Sequence, residues 1–401
     1  MIPINKKIIL GVTGSISAYK TAELIRLLRK EQFFVQVVMT KAAKEFISPL
    51  TLQALSGNPV LENIWDTKEG NGMEHINLSR TAQLILIAPA SANFIAKLTH
   101  GIADDLLGNL CLARKCPLLI APAMNIEMWE NPATQRNIVT LKQDGVFFIG
   151  PEHGEQACGE IGFGRLVNLD TITLEALKFS TNQSFKGIKI LISLGATVEN
   201  IDPARAITNM SSGKMGVSLA KAAYILGADV TIVAGKTTEP IPDGIHTVHA
   251  QNHIEMFAAI NKNIDNQDIY ISAAAISDYL PFVNNKKIKK TETTISVTLK
   301  KSEDILKAVA SKGNIFTVGF AAESEDLIEN AKEKILSKNI DLIIANLIHE
   351  SMNQSMAKVT MINKNFEILD LPKSEKKEVA FKIMEQIHKM YSKEVLNEHN
   401  S

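Results

Sequence analysis

Several things are missing from this 401-residue chain, and each absence narrows what it can be. Only three cysteines are present, so no disulfide framework is expected and the compartment implied is a reducing cytoplasm. Net charge is also missing: 43 basic side chains balance 43 acidic ones, which excludes nucleic-acid binding as the main task. Apolar runs are short. The first, Ile8–Val12, contains Gly11, is followed by Gly14 and reaches Tyr19 and Lys20, so neither a secretory leader nor a membrane span is expected.

Two nucleotide fingerprints are absent as well. Gly11-Val12-Thr13-Gly14 lacks the G-x-G-x-x-G spacing, and the second strand pattern closes on Thr40-Lys41 without the acidic residue that would hold a ribose diol. A hydroxyl and an ammonium suit a phosphate better, which favours a mononucleotide such as FMN over NAD. The stretch Asn209-Met210-Ser211-Ser212-Gly213-Lys214-Met215-Gly216 is not a P-loop, since Thr208 and Met215 stand where that motif needs glycine and Ser or Thr. It separates the apolar run Ile188–Leu194 from a helical pattern, Val217–Leu226. It reads either as N–H groups, hydroxyls and a lysine converging on an anion, or as an ordinary strand-to-helix turn.

What the chain does have is alternation. Its length calls for two domains, and short β-branched runs alternate with helical patterns in both halves, so the fold class expected is α/β, two doubly wound parallel sheets in tandem. Strands are predicted at 7–12, 35–39, 84–88, 118–121 and 146–149, then at 189–193, 229–233, 269–273, 315–318 and 342–345. Ala22, Leu24, Ile25, Leu27 and Leu28 form one helical stripe. Small and hydrogen-bonding residues gather at the strand ends: Gly14-Ser15, Thr40-Lys41, Pro89-Ala90-Ser91-Ala92-Asn93 and Pro122-Ala123-Met124-Asn125 in the first half. The second half ends its strands on Gly195-Ala196-Thr197, Ala234-Gly235-Lys236, Ala274 to Asp278, Gly319 to Glu323, and Asn346. Open α/β sheets bind ligands at these ends.

Individual residues carry competing readings. His75 is a general base near strand-end chemistry or a surface capping residue. Gly154 to Arg165 holds four glycines and reads as a mobile loop exposing Cys158, whereas Cys111 and Cys116 sit in apolar surroundings. Lys286 to Lys290 is a solvated basic run or a flap that closes over polyphosphate. Residues 179–187 are polar and aperiodic and are taken as the linker between domains at 1–178 and 188–401; the residues after Tyr391 read as a frayed charged tail.

From Lys6 to Tyr391 the chain resembles the bifunctional flavoproteins of coenzyme A synthesis, in which phosphopantothenoylcysteine decarboxylase is fused to phosphopantothenate–cysteine ligase. Pro89 to Asn93 resembles the PASANT motif, Pro122 to Trp129 the P-x-M-N-x-x-M-W motif, and Ala157-Cys158-Gly159 the substrate-flap cysteine. Ile207 to Gly216 is similar to the ligase signature I-S-N-x-S-S-G-x-M-G, and Lys287 to Lys290 to its basic flap. The chain departs from these patterns at Phe94, Glu160, Met210 and Ser302-Glu303-Asp304.

The resemblance implies a yellow protein that couples 4′-phosphopantothenate to L-cysteine with CTP and then decarboxylates the product with FMN. It implies His75 as base, Asn125 as grip on the substrate carboxylate, Cys158 as proton donor, Asn209 at the acyl-cytidylate and Lys287 at the triphosphate. Gly14, Ser15, Thr40, Ser91 and Asn93 would meet FMN. Ser272, Ala273, Ala274, Asp278, Lys287, Glu303, Asp304, Ile305, Leu306, Phe320, Lys334 and Lys338 would meet CTP. Mg²⁺ is expected between the phosphates, with no dedicated cage visible in the sequence. A homo-oligomer is implied, a dodecamer where trimers of the flavin half pair through the ligase half. The reading from another class is a flavin-binding regulatory subunit. Retention of His75, Asn125 and Cys158, and the attached ligase half, speak against it.

Overall fold

The computed structural model describes residues 6–63, 74–289, 294–351 and 354–398. The chain divides into two compact units that meet in sequence at Asn182 and Gln183.

In the first unit, β1 (Lys6–Val12), β2 (Phe33–Met39), β3 (Leu84–Ala90), β4 (Leu118–Pro122) and β5 (Phe147–Phe148) form one parallel sheet in the order β2-β1-β3-β4-β5. Helices cover both faces of such a sheet, so its strands are apolar throughout: every residue of β3 is buried. The helix Thr21–Lys30 turns Leu24, Ile25 and Leu28 inward, as its stripe predicts. Strand order reverses between β1 and β3, and sheets of this kind bind ligands over the carboxyl ends at such a point. The glycine-bearing segment after β5 is not the loose loop expected: β6 (Glu152–Glu155) and β7 (Ile161–Arg165) pair as an antiparallel hairpin with Cys158 at its tip.

The second unit holds β8 (Lys189–Leu194), β9 (Val198–Asp202), β10 (Arg205–Thr208), β11 (Asp229–Ala234), β12 (His246–His249), β13 (Ile269–Ser272), β14 (Tyr279–Pro281), β15 (Leu299–Lys301), β16 (Phe316–Glu323), β17 (Leu342–Leu347), β18 (Met356–Asn363) and β19 (Ile368–Glu375). Eight of them form a sheet in the order β12-β11-β8-β13-β16-β17-β18-β19, parallel as far as β17 and antiparallel beyond. Order reverses between β8 and β13, where Ser193 pairs with Ser272 and the Ser193 hydroxyl lies 3.0 Å from that of the fully buried Tyr270. The hairpins β9–β10 and β14–β15 stand apart from this sheet.

The boundary between the two units falls within the polar segment 179–187 expected to link the domains, and Phe185 in that segment is fully buried, its ring 5.1 Å from that of His388. One aromatic side chain outweighs the polar residues around it, because only it gains by leaving water. Past Tyr391, where the sequence reads as a frayed tail, the helix Lys376–Glu398 continues to Glu398; its earlier residues Val379, Ala380, Ile383, Met384 and Ile387 lie in the core. Among the described residues no helix is long and apolar enough to cross a membrane.

Candidate functional site

The first unit gathers its strand tips by hydrogen bonds between loops. The Thr13 hydroxyl donates to the Pro89 carbonyl and accepts from the Ser91 N–H, both at 2.8 Å, which fixes the exit of β3 against that of β1. The Ser15 hydroxyl donates to the Ala123 carbonyl at 3.2 Å and so reaches the exit of β4. Thr40 caps the turn after β2 through the Ala43 N–H, 3.3 Å from its hydroxyl, and its backbone N–H donates to the Val12 carbonyl at 3.1 Å. Gly14, Ser15, Thr40 and Ser91 thus share one end of the sheet, with Asn93 exposed in the first turn of the helix Ala92–Thr99. Phe94, the departure in that motif, points the other way and is buried in the core. These tips offer hydroxyls, an amide and backbone N–H groups, and no carboxylate, a donor set that fits a phosphorylated flavin.

Beside these tips stands the hairpin. Asn125 caps the helix Ile126–Glu130, its Oδ1 accepting from the Glu127 N–H at 2.9 Å, which leaves its Nδ2 free to face the hairpin tip. Nδ2 lies 3.5 Å from Cys158 Sγ, donates to Gln156 Oε1 at 3.4 Å and contacts the Glu160 carboxylate. Glu160 Oε2 in turn sits 3.4 Å from the thiol. Docking needs glycine at 164, where φ is +135° and a Cβ would meet the Met124 carbonyl oxygen at 2.2 Å. The Gly164 carbonyl uses that closeness to accept from the Met124 N–H at 2.9 Å. Asn125 and Cys158, more than thirty positions apart in sequence, therefore touch. His75 lies in the first turn of the helix Glu74–Thr81, not directly before a strand, and its side chain is outside the described residues. Cys111 is buried and its thiol is pushed up to about 12 by burial; Cys116 is half-buried.

A roomier cleft of about 900 Å³ in this unit is lined by Tyr19, Arg26, Glu152 and Arg165 and includes none of these tip residues.

In the second unit a cavity of about 460 Å³ opens at the carboxyl ends of β13 and β16. Asn209, Ser272, Ala273, Ala274, Asp278, Glu303, Asp304, Ile305, Leu306, Phe320, Lys334 and Lys338 all line it. The loop before the helix Lys214–Ile225 owes its shape to Gly213, whose φ is +75° and whose Cβ would meet Thr237 Oγ1 at 2.5 Å. Thr237 and Thr238 grip the same turn, their hydroxyls donating to the Ser212 carbonyl at 2.9 and 3.3 Å. The Asn209 amide donates to the Ala275 carbonyl at 3.0 Å, tying this loop to the exit of β13. Asp304 caps the helix Ile305–Ala310 and pairs with Lys338 at 2.9 Å. Burial works to raise its carboxyl, and the Lys307 N–H with the Lys338 ammonium outweighs it, so the group stays below the usual range.

Lys287 is not among the lining residues. It is exposed on the connection between β14 and β15, and Lys290 lies outside the described residues. The root of this connection is bolted to the β9–β10 hairpin: buried Asp202 accepts from the Ile288 N–H at 3.1 Å and from Arg205 Nη1 at 2.7 Å, and Arg205 Nη1 also donates to the Ile288 carbonyl at 3.2 Å. Asp202 is one of the residues that reading the sequence missed, with Gln156 and Lys376. Its signal, an acidic residue three before an arginine, is too common to single out. No group of three His, Cys, Asp or Glu able to hold a metal occurs among the described residues.

Comparison with known proteins places both halves. Residues 4–181 match the Flavoprotein family, and residues 185–391 match the family described as DNA/pantothenate metabolism flavoprotein C-terminal domain. The coenzyme A biosynthesis bifunctional protein CoaBC of Vibrio cholerae is 43% identical over 392 residues, covering 96% of this chain and 98% of that protein. Its counterparts in Escherichia coli K12 and Borreliella burgdorferi are 43% identical over 349 residues and 40% identical over 390, covering 85% and 96% of this chain and 86% and 99% of theirs.

Proposed function

The chain belongs to the family of coenzyme A biosynthesis bifunctional proteins, and from that membership we propose how its two sites divide the work. It is a flavoprotein with two activities, phosphopantothenate–cysteine ligase and phosphopantothenoylcysteine decarboxylase. The ligase site is the cavity of the second unit, and the decarboxylase site is the strand-tip crevice and hairpin of the first.

In the ligase cavity the carboxylate of 4′-phosphopantothenate attacks the α-phosphorus of CTP, and pyrophosphate leaves. The amine of L-cysteine then attacks the acyl carbon, and CMP leaves. Activation is needed because a free carboxylate is a poor electrophile with a poor leaving group. Asn209 orients the acyl-cytidylate, Asp278 meets the cytosine or ribose edge, and Lys334 and Lys338 offset nucleotide charge, with Lys287 approaching on its connection. Mg²⁺ fits here only as an ion held largely by phosphate oxygens, given the sparse carboxylates.

In the first unit, FMN when bound supplies the two-electron oxidation of the thiol end and its later reversal, and the oxidised substrate loses its carboxylate readily. Gly14, Ser15, Thr40, Ser91 and Asn93 hold it. Asn125 Nδ2 grips the substrate carboxylate, His75 takes the thiol proton, and Cys158 gives its proton to the enethiol carbon. The hairpin tip covers the reacting atoms and keeps water away from them. One observation carries this reading: the Cys158 thiol lies 3.5 Å from the Asn125 amide, on a hairpin docked by its own glycines.

Flavin content tests it. The purified protein should be yellow, with a flavin absorbance spectrum and FMN released on denaturation. A colourless protein that takes up no added FMN would remove the decarboxylase assignment.

A further inference from the structure

Four lysines line the cavity of the second unit, and three are paired with carboxylates: Lys214 with Glu239 at 3.7 Å, Lys334 with Glu323 at 2.5 Å and Lys338 with Asp304 at 2.9 Å. The fourth, Lys376, opens the last helix and is only 6% exposed, yet no hydrogen bond or ion pair reaches its ammonium group among the described residues. A cation so deeply buried is costly to keep without an anion beside it. Burial lowers its pKa and the Lys214 ammonium lowers it further, while Glu239 opposes both.

Its surroundings on the cavity wall are donors. The twelve-residue helix Lys214–Ile225 begins there on Gly213, which has no side chain to cap it. The nearest substitutes are Ser211 and Ser212, whose hydroxyls lie 3.3 Å from the Gly213 N–H and 3.5 Å from the Lys214 N–H, the second at the limit of a hydrogen bond. A helix start of this kind carries partial positive charge and backbone donors aimed at an anion.

We propose that Lys376, with Lys214 and the first turn of the helix Lys214–Ile225, forms a phosphate subsite separate from the Asp278, Lys334 and Lys338 group. This rests on the cavity being the ligase site. Two phosphorylated ligands enter that cavity, a phosphate monoester and a nucleoside triphosphate, and either chemistry matches the donors. The monoester carries close to two negative charges at neutral pH. Lys376 is the cavity lysine without an ion pair of its own, Glu239 being paired with Lys214, so its ammonium group is the one most open to that charge.

The test uses the full flavin-loaded chain and equilibrium titrations with 4′-phosphopantothenate, pantothenate, CTP and inorganic pyrophosphate. Lys376→Met should weaken phosphopantothenate by about tenfold or more, as expected for losing a charge-assisted hydrogen bond, and leave pantothenate unchanged. Lys376→Arg, which keeps the cation, should restore most of the affinity. Weakened CTP and pyrophosphate with unchanged phosphopantothenate would support the subsite and give it to the polyphosphate. Equal binding of every phosphorylated ligand to wild type and Lys376→Met would overturn it. A second measurement needs no variant: pyrophosphate should protect Lys376 of the wild-type chain from amine acylation, read by peptide mass, and lack of protection would also overturn the proposal. A wild-type chain that binds neither CTP nor phosphopantothenate would instead contradict the ligase assignment of the cavity.

Discussion

Replacing Cys158 by serine should cut formation of 4′-phosphopantetheine by about a thousandfold, the usual scale for removing a positioned proton donor, and leave amide formation at its original rate. A serine hydroxyl is a far weaker acid than a thiol, so the carbon that must be protonated no longer finds a donor at neutral pH. The substitution is nearly isosteric, and the hairpin is docked by its backbone, by the Glu160 carboxylate on the Asn125 amide and by Gln156, whose Oε1 accepts from the Ile126 N–H at 3.0 Å. Geometry therefore survives while the proton is lost. Mass analysis should find the decarboxylated enethiol, which still lacks the hydride and the proton of 4′-phosphopantetheine, at up to one equivalent per flavin. Full turnover by Cys158→Ser would show that another group supplies the proton.

Asn209→Asp should have the second large effect, on the other reaction alone. The native amide donates to the Ala275 carbonyl at 3.0 Å, and Ala275 is itself stitched to the exit of β8 by its N–H to the Gly195 carbonyl at 2.8 Å. A carboxylate has no proton to give there, and in the proposed ligase cavity its negative charge would repel a triphosphate and a substrate carboxylate. Loss of the bond and the added repulsion together predict a fall of about a hundredfold in amide formation. Decarboxylation of supplied 4′-phosphopantothenoylcysteine should be unchanged. Comparing pyrophosphate release with amide formation identifies the failing half-reaction. Equal loss of both activities in a folded protein would mean that the two sites are not independent.

The elements legible in the sequence are those whose burial is complete. Leu84 to Ala90 is an unbroken apolar run and Ile190 to Leu194 is apolar but for Ser193, because helices cover both faces of their sheets, and the strand-tip residues follow from where such runs end. The hairpins were not legible. β19 exposes Asp370, Lys373 and Glu375 and buries only Leu371, so it offers no alternation to read. β6 and β7 are built on glycines whose value lies in what approaches them, which spacing does not record. Side-chain meetings across long separations were equally hidden. Glu160 differs from the resembling motif by one methylene, and only the hairpin register brings its carboxylate to both Asn125 and Cys158. Lys376 sits among Lys373 and Lys377, and sequence alone does not say which of the three is buried.

The central claim is that one chain carries two working sites, used in order on one intermediate. The direct measurement is a single incubation of the purified protein with 4′-phosphopantothenate, L-cysteine and CTP, with products weighed by mass spectrometry. The expected result is 4′-phosphopantetheine, with CMP, pyrophosphate and CO₂ each released in equal amount to it. Accumulation of 4′-phosphopantothenoylcysteine without CO₂, or no CTP-dependent product at all, would contradict the account.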